Sequence, residues 1–323
     1  MNSTSFEKRE LGKSGIFVTP VGLGTMELSG GGKALGRMFP KLPHEEKSAI
    51  IKAALDGGIS WFDTAAIYGS GVSEAAVAAG LKEAGIKNGE VVVATKWFPL
   101  LRTARNLPKT IDERIGFLGD YGIDLYMVHQ PIGISSPEAE MDAMADLVEQ
   151  GKIRSVGVSN FNAKRMRRAH AELAKRGLPL AVNQMHYSLV RREIETNGVL
   201  ETAKELGITI IAYTPLGSGL LTGKYHAEPS LLDAKNGLRK GSIKRMLETT
   251  RPLVNAMGEI GRANNATIAQ VALNWVINFH GNSIVTIPGA TKVKQAEESA
   301  GSMKFRLTDG ELSRLDEIAR ELR

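Results

Sequence analysis

Four side chains of this sequence could together deliver a proton to an oxygen: Asp63, Tyr68, Lys96 and His129. Ile59-Ser60-Trp61-Phe62-Asp63 is a short apolar run ending on an acid. Tyr68 comes five residues after that acid, ahead of Gly69, Gly71, Ser73 and Glu74. The run reads as a buried strand whose following loop returns a phenol beside the acid. Lys96 stands in Ala94-Thr95-Lys96-Trp97, and His129 in Met127-Val128-His129-Gln130-Pro131. A free tyrosine is a poor proton exchanger near neutrality, because its pKa lies near ~10. A nearby ammonium lowers that value, so Lys96 is expected to tune Tyr68, with Asp63 holding and balancing Lys96. His129 is expected to donate a hydrogen bond that orients a carbonyl oxygen. Such a group protonates an oxygen as a nucleophile attacks the attached carbon. None of the four is that nucleophile, so hydride from a cofactor is the natural candidate.

The elements that must position these residues follow from periodicity. Residues 6–18 predict a small hairpin around Gly12-Lys13-Ser14-Gly15. Strands are expected at 21–24, 59–62, 91–95, 125–128, 155–158, 180–183, 208–212 and 284–287. Helical spacing separates nearly all of them. Ala49, Ile50, Ala53 and Ala54 share one face before Gly57-Gly58, and Ser73 is the expected cap of a helix to Leu81. Further helices are expected near 109–119, 137–149, 194–206, 251–263 and 267–279, around Met166, Ala169 and Leu173, and finally at 308–320. Residues 27–44 and 222–248 read as long loops. Eight strand–helix units over roughly 250–300 residues predict an α/β fold, a closed (β/α)₈ TIM barrel formed by residues 1–323 as one domain. An open doubly wound sheet is the runner-up, weakened because no Gly-x-Gly-x-x-Gly follows the first strand.

In a barrel, the C-terminal strand ends converge on one face. Asp63, Lys96, His129, Ser159-Asn160, Gln184 and Tyr213 then end the second to seventh strands in turn. Each residue alone has a bland explanation as a turn cap, a packed ring or a solvated strand end. Their repetition at one place in successive units favours a shared site. Trp97 and Phe98 are expected to line its substrate pocket, with core packing as the competing role.

Composition narrows the chemistry further. The chain has 323 residues, 42% apolar and 24% charged, as expected of a soluble globular protein. It has no cysteine, which excludes disulfides, thiolate nucleophiles and cysteine-ligated metal. Six histidines without His-x-x-x-His or His-Glu-x-x-His spacing predict no metal site. The net charge of +6 is either an ordinary basic surface or a field for a phosphate-bearing cofactor. Scattered basic residues without interleaved aromatics argue against nucleic acid. No stretch approaches the ~18–20 apolar residues of a membrane span. The polar N-terminus has no apolar signal core, so a cytoplasmic location is expected. Gly217–Lys224 is a near miss to a phosphate loop, because Ser218 occupies the required first glycine and Tyr225 the final Ser/Thr.

Asp63, Tyr68, Lys96 and His129 in these contexts resemble the catalytic tetrad of the aldo-keto reductases. Phe62-Asp63-Thr64-Ala65 with Tyr68-Gly69, Gly157-Val158-Ser159-Asn160-Phe161, Ala212-Tyr213-Thr214-Pro215-Leu216-Gly217 and Ile287-Pro288-Gly289-Ala290 resemble family segments in family order. The resemblance implies a barrel that binds NADP(H) extended and reduces aldehydes or ketones, with Tyr68 as general acid. NAD(H) is the second choice of cofactor. Gly24, Thr25, Met26 and Asp63 would border the cofactor, and Ser159, Asn160 and Gln184 would hold the nicotinamide carboxamide. Tyr213 would stack on the nicotinamide. Thr214, Pro215, Leu216, Gly217, Ser218, Gly219 and Leu220 would wrap the pyrophosphate, with Lys224 nearby, in a covering segment spanning 214–248. Gly289, Thr291, Lys292, Gln295, Glu298 and Ser299 would surround the adenosine end. Many relatives carry arginine near Thr291, Lys292 or Gln295 and asparagine at Ser299, a departure that leaves dual cofactor use open. The alternative function is a redox-reading regulatory subunit resembling potassium-channel β-subunits. A hydrolase or lyase on the same barrel is the third.

Overall fold

The computed structural model describes residues 6–34, 36, 39–234 and 237–322. Eight parallel strands form the core: β1 (Leu23–Gly24), β2 (Trp61–Asp63), β3 (Val92–Trp97), β4 (Ile123–Val128), β5 (Ile153–Ser159), β6 (Leu180–His186), β7 (Thr209–Tyr213) and β8 (Ile284–Ile287). They pair in chain order. Parallel bridges Val21↔Thr286 and Gly24↔Gly289 join the last strand to the first and complete the barrel.

The strand period of two divides the core. Trp61, Val92, Ala94, Leu125, Met127, Val182, Ile211, Val285 and Ile287 fill the barrel interior. Phe62, Val93, Tyr126, Val128, Val158 and Ile210 face the surrounding helices. The expected hairpin is present, Arg9–Glu10 pairing antiparallel with Phe17–Val18. Its Leu11, Ile16 and Val18 join the interior cluster and plug the end opposite the site. Gly157 keeps the interior closed, because a Cβ there would lie 2.5 Å from Val182 Cγ2 and 2.8 Å from Met127 Cγ.

Helices alternate with the strands: α1 (His44–Asp56), α2 (Val72–Glu83), α3 (Leu107–Leu118), α4 (Pro137–Glu149), α5 (Ala163–Ala174), α6 (Val199–Leu206), a short α7 (Lys224–Ala227), α8 (Gly237–Ala263), α9 (Ile268–Asn278), α10 (Val293–Gly301) and α11 (Asp309–Arg320). Local chemistry sets many ends. Ser136 caps α4 ahead of Pro137, and Thr267 and Thr308 form capping boxes with Gln270 and Glu311.

Three local expectations change. Ser73 does not cap α2: left-handed Gly71 precedes the helix, and the Ser73 hydroxyl bonds Thr25 and Thr64 inside the protein. The helix expected at 194–206 is split. A 3₁₀ turn, Glu193–Glu195, stops before left-handed Gly198, and α6 begins at Val199. The helix expected at 251–263 begins instead at Gly237 and runs through Pro252. The 222–248 stretch therefore contains α7, a 3₁₀ segment Pro229–Ala234 and the start of α8. Within the two expected loops, residues 35, 37, 38, 235 and 236 lie outside the described residues, as do residues 1–5 of the polar N-terminus. Among the described residues, no helix is long and apolar enough to cross a membrane.

Candidate active site

The same strand period brings the expected site residues together. Residues 61 and 63, or 92, 94 and 96, point the same way along their strands. Trp61, Val92 and Ala94 line the interior, so Asp63 and Lys96 enter the barrel mouth above them. Lys96 Nζ donates to Asp63 Oδ1 at 2.5 Å and to the Thr64 carbonyl at 2.9 Å. Gln184 Nε2 donates to the other Asp63 oxygen at 2.9 Å. Both members of the ion pair are buried. Burial raises Asp63 and lowers Lys96, while their mutual attraction and hydrogen bond oppose both shifts.

Tyr68 is brought in by the loop after β2. Tyr68–Gly69 forms a small antiparallel ladder with Lys33–Ala34, so part of the segment expected as a loop is pinned beside the phenol. Lys96 Nζ lies 5.1 Å from the Tyr68 ring centroid. The pKa direction differs from expectation. Burial, then the carboxylates of Asp63 and Glu27, raise Tyr68 well above its ordinary value. Lys96 spends its two hydrogen bonds on Asp63 and Thr64, and the phenol stays protonated. That is the form an acid needs.

His129 closes the far side. Its ring meets Tyr68 edge-on at 5.7 Å between centroids and Phe98 at 5.8 Å. Burial, then the Lys96 cation, hold the imidazole down to about 3. It is neutral throughout the ordinary pH range, with one N–H to donate. Its Nδ1 is buried without a hydrogen-bond partner among the described residues. Phe98 thus lies beside His129 at the barrel mouth. Trp97 does not. It points out of the barrel into the outer core, and its Nε1 donates to Asn106 Oδ1 at 2.9 Å.

The remaining expected residues continue around the mouth. Ser159 Oγ donates to the Gln184 carbonyl at 2.9 Å, and Asn160 Nδ2 donates to Ser159 Oγ at 2.9 Å. Tyr213 OH donates to Asn160 Oδ1 at 3.0 Å, and the Tyr213 ring stacks on His186 at 5.1 Å. Asn160 has a left-handed φ of 61°. Asn is among the few non-glycine residues that tolerate this conformation.

Thr214, Gly217, Ser218 and Gly219 all have positive φ, and the segment Gly217–Thr222 coils tightly after Pro215 and Leu216. A Cβ on Gly219 would lie 3.3 Å from Lys224 Nζ, which places that amine against the coil. Across the β1–β8 seam, Gly24 faces Gly289, and Thr25 Oγ1 donates to the Asp63 carbonyl at 2.9 Å. Met26 begins the 3₁₀ turn Met26–Ser29. Thr291 donates through its amide and hydroxyl to Gln295 Oε1 at the start of α10. Lys292 precedes that helix without a side-chain cap and is exposed. Glu298 and buried Ser299 lie further along α10.

Two places on this surface suit anionic groups. A coil of left-handed residues beside a lysine and an uncapped helix start flanked by Lys292 both favour anions. Sequence reasoning missed Glu27 and the Thr64 carbonyl. Glu27 sits so close to Gly289 that a Cβ there would overlap its carboxylate. Nothing in the spacing of Met26-Glu27-Leu28 signals this, and a backbone acceptor leaves no trace in residue type.

A sequence model described as "Aldo/keto reductase family" matches residues 20–320. An aldo-keto reductase of Strobilurus tenacellus is 33% identical, covering 97% of this chain and 92% of that protein. The aldo-keto reductase yakc [NADP(+)] of Schizosaccharomyces pombe is 32% identical, covering 93% and 88%. Among solved structures, a thermostable aldo-keto reductase in complex with the inhibitor epalrestat superimposes with a TM-score of 0.78. It is 26% identical, and the match covers 97% of this chain and 99% of that one. The chain belongs to the aldo/keto reductase family of oxidoreductases.

Proposed function

We propose that this protein reduces aldehydes or ketones to alcohols with NADPH, using Tyr68 as the general acid. The observation that carries this reading is the meeting of a protonated phenol, a neutral imidazole and a buried Lys–Asp pair at one barrel mouth. When bound, NADPH would supply hydride to the carbonyl carbon. Tyr68 would give its proton to the carbonyl oxygen, and His129 would orient that oxygen by a hydrogen bond. Lys96 would stabilise the phenolate left on Tyr68, and Asp63 would hold Lys96 in place. Phe98 would form the apolar wall beside the carbonyl.

Ser159, Asn160 and Gln184 would exchange part of their present hydrogen bonding for the nicotinamide carboxamide, and Tyr213 would support the ring. Residues 214–220 with Lys224 would wrap the pyrophosphate. Thr291 and Lys292 would meet a 2′-phosphate, with Gln295, Glu298 and Ser299 around the adenosine. The name of the S. pombe relative includes NADP(+), which agrees with this choice.

The test is a fluorescence titration with NADPH and NADH, followed by an aldehyde screen read as loss of NADPH absorbance. Tight NADPH binding with aldehyde-dependent oxidation is expected. Binding of neither nucleotide would overturn the assignment.

A further inference from the structure

Behind the Asp63–Lys96 pair lies a second polar network, on the outer face of the barrel wall. The period that turns Lys96 inward turns Thr95 outward. Thr95 Oγ1 donates to Glu74 Oε1 at 2.6 Å, and Arg114 Nη1 donates to Glu74 Oε2 at 2.6 Å. Glu74 and Thr95 are both 0% exposed. Ser73, the neighbour of Glu74 in the first turn of α2, accepts from Thr64 Oγ1 at 2.9 Å and donates to the Thr25 carbonyl at 2.8 Å. Thr64 in turn offers its carbonyl to Lys96. Consecutive residues of one helical turn therefore hold the residue before Lys96 and the residue after Asp63.

The Glu74 carboxylate is charge-paired with Arg114 at 2.6 Å, whereas a neutral acceptor would suffice to anchor Thr95. Its charge has a second destination. Burial lowers Lys96, and the carboxylates that oppose this are Asp63 and then Glu74. Around Lys96 are Asp63 from β2, Tyr68 from the following loop and His129 after β4, with Glu74 from α2 behind the strand. Glu74 itself is faced by Arg114 and Glu113 from α3, and by Lys96.

We propose that Glu74 is a positioning residue for Lys96: it fixes β3 through Thr95 and places a buried carboxylate behind the strand that carries Lys96. The inference rests on the reductase reading, in which Lys96 must be a cation beside Tyr68.

Two variants separate the parts of this role. Glu74→Gln keeps the shape and an acceptor for Thr95 but removes the charge. Thr95→Val removes the hydroxyl link and keeps the charge. Both are assayed for NADPH binding and for kcat and KM across pH, with an aldehyde the unaltered protein reduces. Glu74→Gln is expected to lose about 10-fold or more in kcat, with KM and NADPH binding within about 2-fold. Its alkaline limb should move to lower pH, because Lys96 loses its proton earlier. Thr95→Val should lose several-fold in kcat with the limb in place.

A uniform loss in Glu74→Gln at all pH, with an unmoved limb, would mark a merely structural residue and overturn the proposal. Unaltered kcat in both variants would do the same. If Glu74→Gln does not fold, Thr95→Val decides alone, and unaltered kcat there overturns it. If the unaltered protein neither binds NADPH nor reduces any aldehyde, the reductase reading fails and takes this inference with it.

Discussion

The Lys96 ammonium meets the Asp63 carboxylate at 2.5 Å, across neighbouring strands and out of reach of water. Neither charge is tolerable there without the other. Lys96→Met leaves Asp63 buried and uncompensated, and is expected to cost about 3–5 kcal/mol of stability as well as nearly all turnover. Adding Asp63→Asn should restore part of the stability and none of the activity. Urea unfolding of the single and double variants checks this. A double variant no more stable than Lys96→Met alone would show that the pair is not coupled.

Tyr68→Phe removes one oxygen from a ring packed against His129, on a backbone held by pairing with Lys33–Ala34. The fold and NADPH binding should survive. Turnover should fall by about 10²–10⁴-fold, the usual worth of a positioned acid. Retained turnover with an unchanged pH profile would remove Tyr68 from the role.

Lys292 is exposed beside an uncapped helix start. Lys292→Met should weaken NADPH binding by about 10-fold and leave NADH binding unchanged, as expected for loss of one charge-assisted contact to a phosphate. Equal loss for both nucleotides would place Lys292 away from the 2′-phosphate.

Glu140 on α4 is buried beneath the loop that follows His129, where a Cβ on Gly133 would overlap its carboxyl. Burial pushes it up to about 7, with Arg165 opposing. The unfolded chain ionises this group near ~4.3. Folding therefore favours its protonated form. That contribution is complete below the unfolded value and is lost as pH rises through about 7. Glu140→Gln should therefore be more stable than the unaltered protein at about pH 8, and match it near pH 4. Thermal melts at both values test the sign.

Much of the site was legible because the barrel repeats one geometric rule. The inward positions along β2 and β3 carry Trp61 to Asp63 and Val92 to Lys96, so apolar spacing locates the polar ends. The same rule, applied one residue further, places Trp97 on the outer face; assigning it to the pocket overlooked that parity. Ser73 has the residue type of a helix cap, but tertiary hydrogen bonds to Thr25 and Thr64 claim its hydroxyl. Pro252 hid the first part of α8, because proline normally ends a helical pattern. The pKa direction of Tyr68 could not be read from residue types. It depends on which acceptors Lys96 chooses and on how deeply the ring is buried.

The plug formed by Leu11, Ile16 and Val18 divides labour between the two ends of the molecule. Sealing against water is done at the floor, by a hairpin that carries none of the proposed chemistry. The rim is thereby relieved of that duty. Its loops can be lengthened, recharged or reshaped with little risk to the enclosed apolar interior, so new specificities can be tried there one at a time. Damage to the floor should show itself as lost protein rather than as altered selectivity.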